Sequence, residues 1–118
     1  MKQQAAKRII AYWDKRVEIF GEDKAFLPLT LSEALKDDAR SLEIAFMRPT
    51  HCKDDAGRAI LFVDPSRLPT DGSYDRHSMA RAFWYFMHAV LEDEDVQKKG
   101  CVIIAHPRHA QRVQFDRN

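Results

Sequence analysis

The sequence predicts an α/β fold: N-terminal helices, then a small mixed sheet of about three strands with a βαβ crossover. Three observations carry this prediction. Apolar residues recur at steps of three and four from Ala6 to Phe20, the spacing of one helix face. Two short apolar runs, Leu42 to Met47 and Ala59 to Val63, flank a polar stretch that ends in Gly57. A long apolar stripe from Tyr74 to about Asp95 is followed, after Gly100, by the apolar run Cys101-Val102-Ile103-Ile104-Ala105.

The 118 residues fit one domain, divided into a helical lead-in over 1–40 and an α/β part over 41–118. Hydrophobic residues make up 45% and charged residues 31%, a balance that suits a folded domain rather than a disordered tail. Nineteen Lys and Arg against eighteen Asp and Glu leave a net charge of +1. No strong field of one sign is present, so nucleic acid is not an expected partner. Cys52 and Cys101 stand far apart and cannot build a disulfide framework, which points to a reducing, cytoplasmic setting. Met1 to Arg8 lack a following apolar run of the secretory kind. The longest apolar stretch, Ala82 to Leu91, is about half the roughly 20 residues that span a bilayer.

The first helix is placed over Gln4 to Phe20. Ala6, Ile9, Ile10, Trp13, Val17 and Phe20 form its apolar stripe, and Gly21 stops it. Phe26-Leu27-Pro28-Leu29 is an apolar connector. Thr30-Leu31-Ser32-Glu33 reads as a capping box ahead of a short helix from Leu31 to about Asp38. Leu42 to Met47 and Ala59 to Val63 read as strands, paired antiparallel across a long loop from Pro49 to Gly57. The second run lacks polar alternation, the pattern of a strand covered on both faces. Asp64-Pro65-Ser66 ends it. Ser73 or Asp75 caps the long helix, whose broad stripe includes Met79, Ala82, Phe83, Phe86, Val90 and Leu91. Strand, helix and buried strand form a βαβ unit with parallel pairing. Three strands leave an apolar edge uncovered, the pattern of a partial domain.

His106 and His109, with Cys101 nearby and His51-Cys52 beside Asp54 and Asp55, contain metal-ligand residue types. They lack the short-spaced pairs of a structural zinc site, so no metal or other cofactor is expected. None of the serines sits in a G-x-S-x-G elbow, and Cys101 opens an apolar strand. The glycines are isolated, without a phosphate-binding loop. Glu92 to Asp95 suits a solvated helix end, and the basic segment from His106 to Asn118 lacks the interleaved aromatics of a single-strand-binding surface. No catalytic residue and no enzymatic activity are expected. What remains is apolar bulk, which suits either core packing or a cavity for an apolar ligand.

The segment Asp55-Ala-Gly-Arg-Ala-Ile-Leu-Phe-Val63 resembles the D-x-x-G-R-P-[VI] entry strand of the CRAL-TRIO lipid-binding domain family. The succeeding order is similar too: a helix over Arg81 to Leu91, an acidic and Gln-containing stretch to Gln97, Gly100, then Cys101 to Ala105. The resemblance spans roughly Leu42 to Ala105 and matches the first half of that domain. His106-Pro107 stands where the family has an Asp and a glycine-containing turn. The resemblance implies binding of a lipid or other hydrophobic small molecule and, in a complete domain, transfer between membranes through transient contact with a membrane surface. Ile103 and Ala105 match a pocket-lining region and are the expected ligand-binding residues. The alternative is a protein-interaction or structural module whose uncovered sheet edge binds another polypeptide or a second copy of the chain.

Overall fold

The computed structural model describes residues 2–106 and has an α/β architecture. Helix α1 (Lys2–Phe20) and helix α2 (Ala39–Ile44) precede strands β1 (Met47–Lys53) and β2 (Ala59–Val63). A single 3₁₀ turn at Pro65–Arg67 leads toward helix α3 (Arg76–Leu91), helix α4 (Glu94–Lys99) and strand β3 (Cys101–Ala105). The three strands lie in the order β1-β2-β3, with β1 antiparallel and β3 parallel to β2. This is the mixed sheet and parallel crossover that the sequence predicts.

Helix α1 matches its expected span, yet only its C-terminal half is packed. Ile9 and Ile10 are exposed, whereas Arg16 and Phe20 are buried. Phe20 packs with Ala25, Ala34 and Leu35, joined at the margin by Leu29, Leu42, Trp84 and Tyr85. Met47 on β1, Leu61 on β2 and Met79 and Ala82 on α3 are also buried, and α3 contacts β1.

Several expectations are corrected. Residues 31–38 form successive turns rather than a helix. The Ala34 amide donates to the Pro28 carbonyl at 3.2 Å, and the Leu35 amide to that of Thr30 at 3.0 Å, so no i→i−4 ladder develops. The Thr30 hydroxyl meets the Ser32 hydroxyl at 3.2 Å instead of capping Glu33. Leu42 to Met47 is not a strand: α2 runs to Ile44, Ala45 takes a left-handed φ of 49°, and β1 begins at Met47. Asp38, Ser41 and Leu42 all turn inward, the i, i+3, i+4 face of a helix.

A further correction concerns the hairpin. Its antiparallel pairing is as expected, but β1 extends through Pro49 to Lys53, and the reversal is confined to 54–58. Asp54 closes it, accepting from the amides of Ala56 at 3.0 Å and Arg58 at 2.8 Å. Gly57 supplies a φ of 82°. In β2 only Leu61 is buried, so the strand is not covered on both faces along its length. The long helix also breaks, at Glu92 and Asp93. The Asp93 side chain accepts from the Asp95 amide at 2.9 Å and restarts the chain as α4, while Gln97 donates to the Leu91 carbonyl at 2.7 Å. Of the two cap candidates for α3, Asp75 serves, accepting from the His77 amide at 2.8 Å.

Candidate functional site

A groove with mainly apolar walls lies between α1 and α3. It holds about 440 Å³ and is lined by Tyr12, Trp84, Met87, His88, Leu91 and Glu92, with Gln97 at its end. Helical spacing explains the lining: Trp84, Met87, His88 and Leu91 follow steps of three and four along α3. Tyr12 reaches across from α1, its ring 5.3 Å from that of Trp84 and 5.6 Å from that of His88.

Polar contacts at this site are few and ordered. Tyr12 Oη lies 2.7 Å from His88 Nε2, and Arg16 Nη1 donates to the same hydroxyl at 2.9 Å. Arg16 Nη2 donates to the Leu27 carbonyl at 2.6 Å. The guanidinium also lies 5.1 Å from the centre of the Trp13 ring and 5.8 Å from that of Phe20. Such cation–π contact is strongest where water is excluded, and Arg16 is only 7% exposed. Burial holds the His88 imidazole below its ordinary pKa. The Arg16 charge adds to this and Glu92 opposes it. Two buried nitrogens, Arg16 Nε and Trp84 Nε1, have no hydrogen-bond partner among the described residues.

Ile103 and Ala105 lie on β3 and not in the wall of this groove. Pairing of Leu61 with Ile103 and of Val63 with Ala105 puts them on the sheet face that holds buried Leu61. Ile103 is 51% exposed, and Ile104, paired with Phe62 on the opposite face, is 43% exposed. On that opposite face the Arg48 guanidinium lies 5.2 Å from the centre of the Phe62 ring, which also tilts against His106 at 5.7 Å.

The two edges of the sheet differ. β1 carries Arg48, Pro49 and Lys53, and its register with β2 is irregular between Pro49 and Lys53. β3 has no charge, no proline and no irregularity. Proline, lysine and bulges are the devices that protect an edge strand, so among the described residues the protection is one-sided.

The candidate metal ligands are dispersed. His51 and Cys52 sit exposed on β1, while Cys101 begins β3, with β2 between them. His109 and the rest of the basic segment beyond His106 lie outside the described residues. Among the described residues no group of three or more His, Cys, Asp or Glu is arranged to hold a metal ion, and no helix is long and apolar enough to cross a membrane. Asp93, expected only to be solvated, forms an ion pair with Lys53 at 3.1 Å and ties α4 to the hairpin.

No contiguous motif marks the α1–α3 groove, because Tyr12 and His88 are 76 residues apart in the chain. A signal was present: Tyr12, Arg16 and His88 interrupt otherwise apolar helix faces. Compared with family models, curated proteins and solved structures, the chain matches none.

Proposed function

We propose that this chain binds an apolar small molecule or lipid, without covalent chemistry, in the groove between α1 and α3. The observation that carries the reading is an apolar groove of about 440 Å³ whose walls are Tyr12, Trp84, Met87 and Leu91. Ligand sites are typically concave, mainly apolar and furnished with a few polar groups. Burial contributes about 0.8 kcal/mol per methylene. About eight methylenes in contact therefore give roughly 6 kcal/mol before the cost of association. The resemblance of Asp55 to Val63 to a lipid-binding family supports an apolar ligand but points to Ile103 and Ala105 rather than to this groove.

Trp84 in the groove wall is a built-in reporter. Titration with an aliphatic probe should change its fluorescence saturably, and Trp84→Phe should abolish most of that change while Trp13 still emits. Linear, unsaturable behaviour below the probe's aggregation concentration would refute ligand binding.

The one-sided edge protection favours a second reading, addition of a strand from another polypeptide along β3. Light scattering across a concentration series tests its simplest form, self-association. Ile103→Lys should then reduce the mass to that of a monomer, whereas a native chain that stays monomeric would count against self-association.

A further inference from the structure

The groove also contains a hydrogen-bond chain whose direction is set by the chemistry of its members. Arg16 has donors only, so the Tyr12 hydroxyl accepts from Nη1 at 2.9 Å. Among the described residues the one acceptor within reach of the hydroxyl's own proton is His88 Nε2, 2.7 Å away, and the tautomer in which Nε2 accepts satisfies that proton. A neutral imidazole carries one proton, which this arrangement places on Nδ1. Nδ1 finds no partner among the described residues, and it is not among the buried unpartnered atoms. His88 therefore presents an uncommitted N–H donor to a groove that it lines.

Behind Tyr12 stands a cation that has no carboxylate partner among the described residues. Arg16 is buried, and its contacts are a hydroxyl, a carbonyl and two ring faces. A buried charge paired only with neutral groups is costly, and a nearby anion offsets that cost. Glu92, one turn beyond His88, lines the same groove and opposes an anion. It is exposed, so solvent and salt screen it, whereas the Arg16 charge acts through protein.

We infer that the ligand is an amphiphile with a single acidic head, a long-chain carboxylic acid whose carboxylate accepts from His88 Nδ1–H while its chain lies along Trp84, Met87 and Leu91. This deepens the proposed function and rests on the groove being a ligand site. The lowered proton affinity of His88 keeps the imidazole a neutral donor at neutral pH. A hydrogen bond from it to a carboxylate is charge-assisted and about twice as strong as one to an ester carbonyl.

The test is calorimetric titration of the full chain with dodecanoate and, separately, methyl dodecanoate, both below their aggregation concentrations. The native chain should prefer the acid by about tenfold. His88→Phe should collapse this preference to within about twofold. Tyr12→Phe should weaken it by releasing the tautomer. The acid-to-ester ratio is independent of a variant's folded fraction, so a partly unfolded variant still reports. Equal binding of acid and ester by the native chain, or a preference that survives His88→Phe, overturns the inference and leaves the groove a ligand site. Binding of neither probe overturns the groove reading and this inference together.

Discussion

Asp38→Ala removes the carboxylate that joins α2 to α3. Asp38 stands at the N-cap position of α2 but makes no cap bond there. Fully buried, it accepts instead from Ser78 Oγ at 2.7 Å and from Arg81 Nε at 2.9 and 3.0 Å. Deleting one partner of a buried pair costs about 3–5 kcal/mol, because the other charge is left without compensation. Two features put this site near the lower end. The Arg81 side chain keeps 16% exposure and can recruit water, and Ser78 retains Ser41 at 2.7 Å. The expected loss is therefore about 3 kcal/mol, a large part of the about 5–15 kcal/mol that stabilises a typical domain. Urea unfolding followed by circular dichroism measures it. With a denaturant slope of about 1.5 kcal/mol per molar, the midpoint should fall by about 2 M. Asp38→Asn, which keeps the shape and the Ser78 bond, should lose about half as much. The pair Asp38→Leu with Arg81→Met should recover much of the loss, since no unpaired charge remains. A midpoint shift below about 0.5 M for Asp38→Ala would refute the reasoning, for it would mean that water replaces the carboxylate at little cost.

Leu61→Ala, in the fully buried centre of β2, should cost about 3 kcal/mol by the same assay, while exposed Ile103→Ala should cost under about 0.5 kcal/mol. Asp75→Ala leaves the amides of His77 and Ser78 without their acceptor and should destabilise by about 1 kcal/mol, with a lower melting temperature as the readout. Stability should also fall as pH drops from about 7.5 through 6.5. The folded-state pKa of His88 lies below the ordinary 6.5, through burial and Arg16, with Glu92 opposing. The unfolded chain therefore takes up its proton first as pH falls through 6.5, and the stabilisation is lost progressively down to the folded pKa. Calorimetric melts across this range should show a smaller slope for His88→Asn, and equal slopes would exclude His88 as the source.

Much of the chain order was legible in local pattern. Helix α1, strand β2, the Asp64-Pro65 exit, the Gly100 stop and strand β3 follow from periodicity, turn chemistry and apolar runs. Their pairing followed from connection length: a hairpin gives antiparallel neighbours, and a helical crossover gives parallel ones. These features depend on residues close in sequence, and the physics that fixes them is local.

Tertiary contact decided the rest. Residues 42–44 have strand-like composition, but the inward set of Asp38, Ser41 and Leu42 binds α3 and the Phe20 cluster only when the segment is helical. Pro49 entered β1 because that strand is at an edge, where a missing donor costs nothing to the ladder. The α1–α3 groove needs Tyr12 beside His88, and Arg16 is buried only because Leu27 and two aromatic rings surround it. Sequence alone determined which segments could be helix or strand, since backbone propensity and side-chain period are properties of neighbours. Which polar groups became buried, and which apolar groups were left to line a groove or an open edge, was settled by packing between distant segments.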